Sequence, residues 1–437
     1  MKIYSFPRGG LVFDDPTAPQ KNNSVNAFLP AVSVIPLGYS SAGKVFPVVQ
    51  TGEMVREGML IGRASGPNAV NVHATVPGRV IRKVSWNDRY GVGNDAIVIR
   101  MEGSFEKLGR KEDIYQWKNL SGYDLQRIIS DLGIVEMENS GRPLAGMIST
   151  ARSENEKITL VVRCVFDDPW LAADYALCNE RLQAVVEGAA IVAKACFKVT
   201  QIIFAVSYHE KELGERLMKE AGNWEIESFL ALTGCRYPQR NNRELELALR
   251  IFEKKEKQNF GSFLILSPAV LSAANDAVKH KRPILDRYVA VGGSAVKHPQ
   301  VMKVRIGTRI GELIEQCGGF VEAPYRIATG SPLSGREVMY LDEPVRKNCY
   351  AIVAMSKSQA ADSAEGRQQN CINCGECRMV CPMGLDPQYI YKRIRTLGIE
   401  NVRAAGCHGC GCCRIVCPSD LLLSETILEG NQETANG

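Results

Sequence analysis

Near its C-terminal end the chain repeats one cysteine spacing. The first run is Cys371-Ile-Asn-Cys374-Gly-Glu-Cys377-Arg-Met-Val-Cys381-Pro382, the second Cys407-His-Gly-Cys410-Gly-Cys-Cys413-Arg-Ile-Val-Cys417-Pro418. Each reads C-x2-C-x2-C-x3-C-P, the spacing that holds [4Fe–4S] clusters in bacterial two-cluster domains. Three thiolates in one tight loop fit three corners of a cubane. The fourth cysteine stands one helical turn further on and reaches the other cluster. The spacing therefore predicts Cys371, Cys374, Cys377 and Cys417 around one cluster, and Cys407, Cys410, Cys413 and Cys381 around the second. Structural zinc, which takes four tetrahedral thiolates, suits a duplicated spacing of this kind poorly. Cys412 interrupts the second run beside Cys413 and is expected to be a bystander, because the spacing is complete without it. A chain built this way moves electrons.

The other six of the 15 cysteines are scattered and suggest no disulfide framework. Cluster thiolates need a reducing compartment, so a cytoplasmic location is expected. A length of 437 residues predicts two to four domains, and a net charge of +5 is too slight to imply nucleic acid. No run of 18 apolar residues offers a transmembrane helix, and MKIYSFPRGG lacks a signal-peptide core. A role at a membrane would need partner subunits.

Along the chain the pattern changes character several times. Residues 1–105 are rich in short strands punctuated by glycine, and resemble a biotinyl/lipoyl-type barrel-sandwich. The hairpin stretch Val70-Asn-Val-His73-Ala-Thr-Val-Pro77-Gly78 has no lysine to carry a prosthetic group, so a structural module is expected, with His73 packed. Residues 106–285 alternate apolar strands, such as Ile158–Val165, Gln201–Ser207 and Ser262–Ser267, with amphipathic helices. That is a Rossmann-like α/β layering. Residues 286–350 look like the ubiquitin-like SLBB module. Residues 351–369 are expected to be linker, 370–427 the two-cluster ferredoxin-like domain, and 428–437 a disordered tail.

This order resembles the RnfC family, the peripheral subunit of the Rnf ion-translocating oxidoreductases. Local marks carry the resemblance: Phe6-Pro-Arg-Gly-Gly10, Leu171-Ala-Ala-Asp-Tyr175, Glu187-Gly-Ala-Ala, Tyr237-Pro-Gln239 and Cys381-Pro-Met-Gly-Leu385. The family's α/β domain is similar to the NADH-binding flavoprotein subunit of respiratory complex I. The resemblance implies FMN and NAD(H) in the α/β domain, two [4Fe–4S] clusters, other Rnf-type subunits and a ferredoxin or flavodoxin-like carrier as partners, and a place on the cytoplasmic face of the inner membrane.

The flavin position departs from the family. Where the family has the phosphate loop G-x-G-G-x-G-F-P-T, this chain has Gly133-Ile-Val-Glu-Met-Glu-Asn-Ser-Gly141-Arg-Pro143, and only Gly141 and Pro143 align. Glu136 and Glu138 would repel a phosphate. The family's N-x-x-E-x-E-P is here Arg163-Cys-Val-Phe166-Asp-Asp168-Pro169, and its Y-P-x-G-x-E is Tyr237-Pro-Gln-Arg240-Asn-Asn242. Two readings stay open: a scaffold that lost its ligand, or a remodelled site. For the second, Gly141, Arg142, Asp168 and Tyr237 are the candidate positions, with the Arg142 guanidinium replacing backbone donors to a phosphate.

Basic residues flank the clusters: Arg367, Arg378, Lys392, Arg393, Arg395, Arg403 and Arg414. They form either an ordinary solvated face or a docking surface for an acidic redox partner. The leading functional expectation is an electron-transfer subunit of an Rnf-type complex. The alternatives are a soluble iron–sulfur flavoprotein reductase of the cobalamin-reductase or proline-reductase-associated type, and a non-catalytic scaffold.

Overall fold

The computed structural model describes residues 2–38, 43–87, 93–105, 113–138, 141–154, 156–357, 370–398 and 406–433. Within them the expected modules appear in the expected order. The barrel-sandwich consists of two antiparallel sheets. One orders Val32–Pro36, Gly93–Met101, Gly78–Asn87 and Met54–Val55; the other orders Lys44–Pro47, Leu60–Ser65 and Val72–His73. Alternating side chains of both, among them Ile35, Ile61, Val72, Val80, Ile97 and Ile99, close a small core. His73 is buried as expected. Burial, then the charge of Lys347, press its pKa down to about 3, so it stays neutral.

The α/β domain carries four parallel strands, Ile158–Cys164, Val199–Ser207, Glu227–Thr233 and Ser262–Leu266. Their order places the third beside the second, the second beside the first, and the first beside the last. All seven residues of Ile158–Cys164 are buried, which is why it reads as a continuous apolar run. Helices Leu182–Cys196 and Pro268–His280 pack on one face of this sheet. Helix Asn242–Glu256 covers the other with Leu245, Ala248, Leu249 and Phe252. In a sheet of this order the chain starts at the first strand, builds outward to one side and then crosses back to the other, so the order of strands reverses there. The carboxyl end of that first strand is where such folds bind ligands.

The SLBB module is a six-stranded mixed sheet with helix Ile310–Gln316 against it. One boundary of the sequence reading moves. Residues 351–355 are not linker: Ala351–Met355 is a fully buried strand between Asp286–Gly292 and Arg326–Thr329. The rest of that proposed linker, from residue 358, lies outside the described residues. The tail also changes, because helix Leu423–Glu433 runs past 428 and packs on helix Pro387–Leu397.

The opening residues pack outside the two sheets of the barrel-sandwich. Tyr4 bridges to Thr233 at the edge of the α/β sheet, and Leu11 bridges to Tyr237. Ser24–Asn26 adds a strand to the SLBB sheet. Between these contacts, Gly10 N–H donates to the Val380 carbonyl at 2.8 Å. A Cβ on Gly9 would lie 2.6 Å from the Cys381 backbone, and one on Gly10 2.6 Å from the Tyr237 carbonyl oxygen. Both glycines have positive φ, at 65° and 76°. The strap can pass between α/β domain and cluster domain only with glycine there.

Candidate electron-transfer site

The two cysteine runs fold alike. In each, a glycine in the left-handed region (Gly375, φ 79°; Gly411, φ 80°) turns the chain into a four-residue helix, Glu376–Met379 or Cys412–Ile415. The third cysteine of each run sits in that helix and the fourth just beyond it. The result is two cavities. One is lined by Cys371, Cys374, Cys377 and Cys417. The other is lined by Cys407, Cys410, Cys413 and Cys381. The fourth cysteine of each run faces the other run's cavity. Among the described residues, no three Cys, His, Asp or Glu side chains converge tightly enough for a single metal ion. The thiols ring a space, which suits a cubane better than a zinc ion.

Cys412 also lines the second cavity, and it is fully buried. Its position opens the second helix, as Glu376 opens the first. Its S–H hydrogen-bonds the Cys410 sulfur, which brings the Cys410 thiol down to about 7. Burial raises the thiols of Cys377, Cys381, Cys407 and Cys413.

The two cavities differ in setting. The second is held against the rest of the molecule. The Tyr237 hydroxyl donates to the Cys410 carbonyl at 2.8 Å, and the His408 ring lies 2.9 Å from Glu244 and 3.1 Å from Asn241. Gly411 packs on the Leu333 backbone of the SLBB module. The first cavity is lined in part by exposed Ile372 and Cys374. Of the basic residues, Arg378, Lys392, Arg393 and Arg395 are exposed. Arg414 turns inward, 4.0 Å from Asp420 and 3.8 Å from Glu425. Arg367 and Arg403 lie outside the described residues.

At the carboxyl end of Ile158–Cys164, where a nucleotide would sit, the structure has a buried charge network. Arg163 and Arg240 both grip Glu138, and Arg163 lies 3.9 Å from Glu136. Arg163 also donates to Asn242 Oδ1 at 2.7 Å. The Arg240 N–H donates to Asp167 at 2.9 Å, and its guanidinium lies 3.9 Å from Asp174. Arg287, from the SLBB sheet, pairs with Asp174 at 2.8 Å. Burial, then the neighbouring Glu138 charge, raises the Glu136 carboxyl to about 7, and burial raises Asp167 to about 7.

The loop that should cradle a flavin phosphate is turned on itself. Glu136 N–H donates to the Arg142 carbonyl at 2.8 Å, and Glu138 N–H donates to the Glu136 carboxylate at 3.1 Å. Two donors a phosphate would need are engaged, with two carboxylates beside them. The residues present do not fit a flavin phosphate here. Of the four candidate positions, Asp168 and Tyr237 are buried and within electrostatic reach of each other, and Gly141 is buried with φ 58°. Arg142 is exposed. Asp168 caps the turn that follows it, accepting from Trp170 N–H at 2.9 Å, and burial raises its carboxyl.

Sequence reading noted Glu136, Glu138, Arg163 and Arg240 as losses, and missed that they pair. The signal was present: two glutamates arrive in one segment while arginines replace an asparagine and a glycine in the other two. Asp174 and Arg287 carried no such signal.

Comparison with known families fits this architecture. Residues 6–104 match the RnfC barrel sandwich hybrid domain, and 129–258 the Nuo51 FMN-binding domain. Residues 288–342 match the SLBB domain, and 365–427 the 4Fe-4S dicluster domain. The C component of the ion-translocating oxidoreductase complex of Rhodobacter capsulatus is 28% identical over 86% of this chain and 72% of its own length. The C component of the proton-translocating ferredoxin:NAD(+) oxidoreductase complex of Clostridium ljungdahlii is 28% identical over 88% and 83%. The Na(+)-translocating counterpart of Acetobacterium woodii is 26% identical over 82% and 80%. An NAD+-reducing [NiFe]-hydrogenase chain superimposes with a TM-score of 0.49 at 12% identity, covering 64% of this chain and 53% of that one. The chain is similar to the C components of these complexes over most of its length, and the soluble-reductase reading is not favoured.

Proposed function

We propose that this chain relays electrons through two [4Fe–4S] clusters as a subunit of a membrane-bound Rnf-type complex, between a ferredoxin or flavodoxin-like carrier and NAD, with ion translocation performed by the assembly. The observation that carries this reading is the pair of cysteine-ringed cavities with exchanged fourth cysteines. Clusters held there supply one-electron chemistry. The chain's own residues do the rest. Cys371, Cys374, Cys377 and Cys417 hold the outer position, beside exposed Ile372, where a carrier docks. Cys407, Cys410, Cys413 and Cys381 hold the inner one, fixed by Tyr237 and by the His408–Glu244 pair. Among the described residues no helix is long and apolar enough to cross a membrane. We place the chain on the cytoplasmic face, held by partner subunits.

The test is anaerobic purification with and without the partner subunits. We expect about eight iron and eight acid-labile sulfide per chain, from two four-iron clusters. No stoichiometric FMN is expected, and membrane association only with partners. Tightly bound zinc without labile sulfide refutes the reading, as does binding of the isolated chain to protein-free liposomes. Stoichiometric flavin restores the nicotinamide-linked role of the relatives.

A further inference from the structure

Resting on that two-cluster reading, we propose that reduction of the inner cluster draws one proton into the charge network at the end of the α/β sheet, onto Glu136 or Asp167. The segment Tyr237–Glu244 joins the two places. Tyr237 bonds the Cys410 carbonyl and Asn241 meets His408, while Glu244 meets His408 from the next turn. Between them, Arg240 engages Glu138 and Asp167, and Asn242 accepts from Arg163. One short stretch thus touches the cluster loop on one side and the network on the other.

The network holds more acid than base. Among the described residues, five carboxyls, Glu136, Glu138, Asp167, Asp168 and Asp174, stand around the three guanidiniums of Arg163, Arg240 and Arg287. Asp167 Oδ1 and Asp174 Oδ2 are buried without a hydrogen-bond partner. Glu136 faces Glu138, Arg163 and Arg240. Asp167 faces Arg240 and Asp168, which in turn feels Asp15 and Tyr350. Such an assembly holds a proton readily when a negative charge arrives next to it. Both carboxyls lie near about 7, so neutral solution stands at the edge of their protonation. Coupling is reciprocal, so the proton in turn favours the electron. The balance is simple: one electron comes from an external one-electron donor, one proton comes from water, and no covalent bond in the protein breaks.

The experiment is a redox titration of the cluster-loaded chain carrying Cys374→Ser, which leaves the inner cluster as the one followed by electron paramagnetic resonance, between pH 5.5 and 9.5. The midpoint should be flat where the acids are protonated in both redox states. Above about pH 7 it should fall, approaching about 59 mV per tenfold change in proton concentration. The paired variant Glu136→Gln, Asp167→Asn should hold the midpoint at its acid value throughout. Should that variant misfold, the reduced-minus-oxidised infrared spectrum of the native chain decides, by gain of a protonated carboxyl. A flat midpoint, a slope surviving the paired variant, or no carboxyl change overturns the inference. Protein without iron and sulfide overturns instead the reading it rests on.

Discussion

Two parts of this molecule meet at Tyr237 and are built on opposite terms. The cluster domain has little core of its own: apart from cysteines, its buried side chains are few, such as Ile394, Leu421, Leu423 and Ile427. The eight cysteines that the spacing predicts as ligands, however, all line its two cavities. The α/β domain has a large core and a sheet of the expected order, yet the loops at its ligand-binding end have exchanged glycines for paired charges. The difference follows from where stability comes from. A domain whose fold depends on its cofactor cannot lose the cofactor's ligands and persist. A domain with its own apolar core can lose a ligand and fill the space, provided each buried charge finds a partner.

The largest effect expected of this contrast is in iron content. Cys381→Ser should abolish the cluster of the second run, although Cys381 belongs to the first, and Cys417→Ser should abolish the other. Each variant should keep about four of eight iron. If Cys381→Ser instead removes the cluster held by Cys371, Cys374 and Cys377, the exchanged arrangement is wrong. Next comes Arg240→Ala, which takes from Glu138 one of its two arginines and removes a guanidinium from among buried carboxyls, while the backbone N–H bond to Asp167 stays. Chemical denaturation should show a loss of about 3–5 kcal/mol in the α/β domain, with iron content unchanged. A loss under about 1 kcal/mol would mean the network is not a buried unit.

Smaller still is Tyr237→Phe, which removes one hydrogen bond between the two regions. We expect about 1 kcal/mol and a shifted resonance signal for the inner cluster alone. An equal shift in both clusters would remove Tyr237 from its special place. Smallest is Cys412→Ser, which should leave iron and sulfide unchanged. Loss of a cluster there would make Cys412 a ligand.

Legibility followed the range of the interactions. Cluster ligands are spaced by local geometry, so their positions could be read directly. Buried strands were legible as apolar runs. Ala351–Met355 was one such run, AIVAM, but the polar stretch after it drew the boundary too early. The charge network was half visible, because complementary substitutions fall in segments far apart in sequence that only the fold brings together. Arg287 was out of reach, since nothing local marks an arginine that crosses from one module to pair with Asp174 in another. The strap was equally hidden, with partners hundreds of residues away.

That strap sets an order on synthesis. Gly9 and Gly10 leave the ribosome long before the residues that seat them, the backbone of Val380, Cys381 and Tyr237. Until the cysteine runs have been translated, the Val380 and Cys381 part of that seat is missing, and the opening residues are held only on the α/β side, by Tyr4 at Thr233 and Leu11 at Tyr237 among others. Contacts this remote in sequence form late. Cluster loading and closure of the strap therefore belong to the same final stage of maturation. A bulky fusion ahead of Tyr4 should slow iron incorporation at the opposite end of the chain.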